Sequence, residues 1–182
     1  MKEAEYLEHI WQDLEKGISK KGHPFKLATL ATIVNANELK QRTLVLRAIT
    51  NQKTLIFYTD FRSNKVSQVL RNSAASLLFY NDEQKLQISL KGKVTIHTKG
   101  DLWKEHLSKI SKDSEDDYNT LHAPGTTIEE KEELERVSNL NFCLLEFKIF
   151  TIDYLQLHKD KDHQRLIFNK TANVWKGDFV VP

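Results

Sequence analysis

Residues 25–97 run through five short segments rich in β-branched and aromatic residues, with only one stretch of helical spacing among them. Such a run cannot supply the strand–helix alternation of an open parallel sheet, so it predicts an antiparallel sheet or barrel. The segments are residues 25–34, 42–49, 54–59, 74–80 and 86–97, and the turn-prone Asn35-Ala36-Asn37 joins the first two as a hairpin. The helical stretch is 63–72, with Ser63 as its N-cap and Val66, Val69 and Leu70 on one face. Upstream, Ala4, Leu7, Ile10, Trp11, Leu14 and Ile18 give an amphipathic helix over 3–20 that stops at Gly22-His23-Pro24. Downstream, Leu102, Trp103, His106, Leu107 and Ile110 predict another helix, and residues 129–137 a charged one with an apolar stripe of Leu134 and Val137. Residues 122–127 read as a loop, and strand texture returns at 142–157, 165–169 and 174–181. The expected class is α+β: an antiparallel barrel with a few peripheral helices.

No Pro/Gly-rich linker or repeat divides the 182 residues, so one domain over 1–182 is expected. Lys and Arg number 27 against 25 Asp and Glu, too slight an excess for nucleic acid or an anionic membrane as partner. One cysteine excludes an internal disulfide, and Met1-Lys2-Glu3-Ala4-Glu5 lacks the apolar core of a signal peptide. A soluble cytoplasmic protein is therefore expected. The seven histidines show no ligand spacing, and no metal site is expected. Nucleotide-loop, zinc-protease and nucleophile-elbow motifs are all absent from the sequence.

The chemistry gathers at Phe57-Tyr-Thr-Asp-Phe-Arg-Ser-Asn-Lys65, where an apolar strand turns and delivers two cations to a helix start. Backbone N–H groups, the dipole end and the cations together suit a phosphate dianion. Arg42 and Arg47 interrupt an otherwise apolar strand, and an arginine there must reach water, a carboxylate or a ligand. Two readings stand at this point. Either these groups form a phosphate cradle, or the arginines run to an exposed edge and Ser63 merely caps a helix.

The sequence resembles the pyridoxamine 5′-phosphate oxidase family. The likeness runs through Arg42-Thr-Leu-Val-Leu-Arg47, Phe57-Tyr58-Thr59, Ser63-Asn64-Lys65 and Ser76-Leu-Leu-Phe79-Tyr80. It continues through Leu86-Gln87-Ile88-Ser89-Leu90-Lys91-Gly92 and ends with Arg165 followed by Trp175-Lys176 and Pro182. It implies a split β-barrel that binds FMN, works as a homodimer with the flavin at the interface, and accepts a small-molecule substrate. By the same resemblance Arg42 and Lys65 hold the FMN phosphate, Ser63 adds a hydroxyl, and Thr43, Leu44 and Val45 line the flavin through their backbone. Tyr58 and Thr59 pack against the ring and its ribityl chain. Gln87 bonds near the ring, and Arg165 reaches it from the partner subunit. Asn64 stands where the family has arginine, with Arg62 the candidate replacement, and Leu155 stands where it has tryptophan.

On the substrate side Arg47 keeps one expected cation, and Lys161 and His163 partly match an Arg-x-His pair. Residues 118–126 do not reproduce the family's remaining phosphate-clamping residues. The expectation is an FMN-dependent oxidoreductase on a small molecule, and not an efficient vitamin B6 oxidase. The alternatives are a flavin- or haem-binding barrel without turnover, and a barrel that has lost its cofactor.

Overall fold

The computed structural model describes residues 2–130, 133–160 and 162–182. Helix α1 (Glu3–Ser19) lays Ile10, Trp11 and Leu14 into the core as the spacing predicts, with Tyr6 buried beside them, while Leu7 and Ile18 are half-buried and Ala4 is exposed. A short 3-10 turn (Pro24–Lys26) follows, started by His23, whose Nδ1 accepts from the Phe25 amide at 3.2 Å. Then come β1 (Leu27–Asn35), β2 (Glu38–Ile49), β3 (Leu55–Asp60), α2 (Asn64–Arg71), β4 (Ala74–Asn81) and β5 (Leu86–His97). Helices α3 (Asp101–Leu107) and α4 (Lys112–Glu115) precede β6 (Phe142–Gln156), β7 (Gln164–Thr171) and β8 (Val174–Val180).

The eight strands form one antiparallel sheet in the order β3-β2-β1-β4-β5-β6-β7-β8, and a further β3–β6 pairing closes the first six into a barrel. The long strand β6 makes this possible. One edge pairs with β5 from His97↔Leu144 to Leu86↔Gln156. The other edge is divided: residues 142–147 take β3, and residues 151–156 take β7. At the division the register against β5 slips between Lys91 and Gly92. A Cβ on Gly92 would fall 2.1 Å from the Lys148 carbonyl oxygen, so only glycine lets the strands approach there. The barrel is filled by alternating inward residues, among them Leu30, Leu46, Leu77, Phe79, Ile88, Leu90, Phe147 and Ile152. A smaller cluster of Ile56, Tyr118, Phe142 and Leu144 packs under Trp103 and Leu107 of α3.

Three expectations are corrected. The predicted helix over 129–137 does not form in its described part: residues 129–130 and 133–137 are not helical, Arg136 bridges Thr120, and residues 131–132 lie outside the described residues. The backbone of 133–137 pairs with residues 119–121 instead, through Leu121 N–H to Glu135 O and Val137 N–H to Asn119 O. Two apolar residues in a run of charges give a helix too little to bury, and an available partner strand wins. Leu70 is exposed while Val66 and Val69 are buried. Ser63 holds the N-cap position of α2 without capping it, because its hydroxyl donates to the Asp60 carbonyl at 2.7 Å.

Candidate functional site

Strand β2 carries Arg42 at the level of Leu30 on β1, beside the buried face of α2. Its guanidinium donates to Thr32 Oγ1 and, at 2.7 Å, to Oε1 of the buried Gln68. Lys65, on the first turn of α2, donates to Thr59 Oγ1 at 2.8 Å. Both cations thus rest on neutral oxygens, and neither forms an ion pair among the described residues. Burial holds the Lys65 ammonium below the usual lysine value, and the nearby Arg42 charge lowers it further. Burial also lowers Arg42. Two partly buried like charges without a counter-ion are unfavourable unless an anion completes them.

Beside this pair opens a cleft of 290 Å³ lined by Thr43, Leu44, Val45, Arg47, Tyr58, Thr59, Asp60 and Lys65, with Asp117, Tyr118 and Pro124 on its far wall. Seven of the residues singled out in the sequence therefore meet at one place: Thr43, Leu44, Val45, Arg47, Tyr58, Thr59 and Lys65. The Arg47 guanidinium carbon lies 5.2 Å from the Tyr58 ring centroid. Its Nε is buried and without an acceptor among the described residues. Ser63 is buried against the cradle, 3.4 Å from Thr59 Oγ1, and Asn64 is exposed beside Gly125, the residue after Pro124 of the far wall.

Arg62 is not free to replace the family's missing arginine. Its Nε and NH2 bind the two carboxylate oxygens of Asp60 at 3.1 and 2.7 Å, and it donates further to the Thr120 and Leu121 carbonyls. It ties residues 120–122 to the end of β3. Nor do Gln87 and Arg165 line this cleft. The pairings Tyr80↔Gln87, Gln87↔Leu155 and Leu155↔Arg165 align them in one row across β4–β7, on the sheet face opposite the buried Ile88, Tyr154 and Leu166. There Asp153 grips Arg165 at 2.8 and 3.0 Å. His163 lies in the β6–β7 connection and accepts from the His158 amide at 3.1 Å, and Lys161 is outside the described residues.

Sequence reasoning missed His106 as a site residue. It is buried on α3, and its Nδ1 lies 2.7 Å from the Tyr58 hydroxyl. Tyr118 was missed too. It is buried against Phe142, with burial raising its phenol while the Arg47 charge opposes. Neither stands out in the sequence, because His106 reaches the site only through the distant Tyr58 and Tyr118 joins the wall only in the folded chain.

The fold and the site together define an α+β protein with a six-stranded antiparallel barrel and two closely placed cations beside a polar, aromatic-walled cleft. The family described as "Pyridoxamine 5'-phosphate oxidase, FMN-binding domain" matches residues 8–98, half of the chain, and the chain belongs to that family. The pyridoxine/pyridoxamine 5′-phosphate oxidase of Cytophaga hutchinsonii is 33% identical over 66 residues, 36% of this chain and 30% of that enzyme. The matched part thus spans less than a third of the curated relative's length. Among solved structures, a pyridoxamine 5′-phosphate oxidase-related, FMN binding protein from Nostoc punctiforme superposes with a TM-score of 0.79 at 22% identity, covering 96% of each chain. PhzG from Burkholderia lata, solved with tetrahydrophenazine-1-carboxylic acid, gives a TM-score of 0.75 at 18% identity over 98% of this chain and 92% of PhzG. At such identities the two structures share the fold.

Proposed function

We propose that this chain binds FMN at the Arg42–Lys65 cradle and acts as an oxidoreductase on a small anionic molecule, as a homodimer. The carrying observation is that Arg42 and Lys65, both half-buried and near enough for one charge to lower the other's pKa, have only neutral oxygens as partners. A phosphate dianion supplies the charge they lack, through bonds worth about 1.5–3 kcal/mol each. Ser63 and Thr59 stand next to it with hydroxyls able to turn toward the anion. FMN, when bound, supplies the hydride-accepting ring. The protein's own part is positioning: the Thr43–Val45 backbone and the Tyr58 ring form the floor, and Tyr118 excludes water at the far wall. The unused Nε–H of Arg47 is the donor for an acidic group on the substrate.

The row of Gln87, Leu155 and Arg165 on the outer sheet face supports a shared site. Residues that serve the flavin in the family sit where a second copy's cleft can meet them, and a twofold axis makes two equal sites. Exposed Leu78 and Tyr80 extend that face with apolar surface.

Titration of apo-protein with FMN and with riboflavin tests the cradle. FMN binds more tightly, and Lys65→Ala weakens FMN by about tenfold or more while sparing riboflavin. Equal affinities for the two flavins would sink the assignment. Light scattering of FMN-loaded protein gives twice the chain mass, whereas a monomer retaining FMN refutes the shared site. Reduction of the bound flavin by NADH separates an enzyme from a flavin carrier.

A further inference from the structure

A second cleft, of 810 Å³, lies at the other end of β3 from the cradle. It reaches Thr54, just before the strand, whereas the first cleft reaches Thr59 and Asp60 at the strand's end. The first cleft also reaches Tyr58, so three residues of strand, 55–57, separate the two linings, roughly 13 Å from Thr54 to Tyr58. Its walls come from α1, the β2–β3 turn, β6 and the β7–β8 hairpin.

Two indoles flank it, each with an ammonium over the ring: Lys53 Nζ is 5.0 Å from the Trp11 centroid, and Lys170 Nζ is 5.7 Å from that of Trp175. Lys148 adds a third cation. The carboxylate in the wall, Glu146, is already satisfied, with Thr54 donating to one oxygen and His97 Nε2 2.8 Å from the other. Lys53 is paired with Glu15 at 3.0 Å. Lys148 and Lys170 have no carboxylate partner among the described residues. The cleft therefore offers aromatic faces and two lysines without a direct carboxylate partner, which outnumber the single Glu146 charge in its wall, within the volume range of small-molecule sites.

We propose that this cleft is a second ligand site, for a planar aromatic anion. A flat ring takes the place of the Lys170 ammonium on the Trp175 face, and the displaced ammonium, with Lys148, pairs the ligand's acidic group. A neutral aromatic lacks the charge, and an aliphatic acid lacks the ring. Nothing in this site depends on the cradle or on the flavin reading.

The test is isothermal titration calorimetry of the protein as purified with naphthalene-2-carboxylate, cyclohexanecarboxylate and naphthalene-2-methanol. Naphthalene-2-carboxylate gives saturable binding, and the other two bind about tenfold more weakly or less. The double variant Lys148→Gln/Lys170→Gln weakens the naphthoate by about tenfold or more. Arg47→Gln, which alters the other cleft, leaves it unchanged. Absence of saturable naphthoate binding, unaltered affinity in the double-lysine variant, or loss of binding in Arg47→Gln each overturns the proposal.

Discussion

The Tyr58 hydroxyl oxygen stands 2.7 Å from Nδ1 of the buried His106. Burial raises the Tyr58 phenol and lowers the His106 imidazole, so at neutral pH both groups are uncharged and share one hydrogen bond. A strand residue of the cleft is thereby fixed by a helix 48 positions further along the chain.

The burial of His106, which lowers its pKa, makes the fold acid-sensitive. His106 titrates lower in the folded protein than its ordinary 6.5, so as pH falls the unfolded chain takes up the proton first. Stability is full above that value and is lost progressively below it. His106→Gln, which keeps a hydrogen-bond partner for Tyr58, flattens the loss. His23 is also held low by burial and retains its share. Urea unfolding at about pH 7.5 and about pH 5.5 checks this, and equal acid losses in both proteins would exclude His106 as the cause.

Arg62→Ala leaves the Asp60 carboxylate, 2% exposed, without its partner. Removing one member of a buried pair costs about 3 kcal/mol. The same change frees residues 120–122 from their anchor, so protease cleavage there quickens under native conditions. A variant as stable as the parent and equally resistant contradicts the role assigned to this arginine.

Gly92→Ala pushes a methyl into the Lys148 carbonyl. Overpacking against backbone at a closed seam costs about 3 kcal/mol, near the top of the usual range. Thermal unfolding measures it, and an unchanged midpoint means that β5 and β6 do not approach as described.

Oxidation of pyridoxine 5′-phosphate and pyridoxamine 5′-phosphate by FMN-saturated protein is expected to be slow. Only Arg47 matches the family's clamp for the substrate phosphate, while His122 carries no guanidinium and its carbonyl accepts from Thr120 at 2.8 Å. Poor alignment over the ring costs on the order of a hundredfold in kcat/KM. A rate comparable to a genuine oxidase's makes the vitamin B6 reaction the better assignment.

The strands were legible because β-branched runs and turn residues mark them locally, and β5 has the expected bounds of Leu86 and His97. The two cations were legible for a similar reason: Arg42 interrupts an apolar run, and Lys65 follows Tyr-Thr at a helix start. What stayed hidden depends on distant partners. Arg62 looked available until Thr120 and Leu121, 58 and 59 residues away, claimed it. Residues 133–137 lost their predicted helix to pairing with residues 119–121. Gln87 and Arg165 became neighbours only through Leu155 between them.

The divided edge of β6 also sets an order of events in folding. Until residue 142 and those after it are synthesised, β3 and β5 are both unpaired borders of a five-stranded sheet, β3-β2-β1-β4-β5. Closure must wait for a strand brought back from far along the chain, which makes the barrel a slow, high-contact-order folder. A nascent chain halted before β6 carries two sticky edges, and residues 8–98 expressed alone self-associate through them rather than fold as a unit.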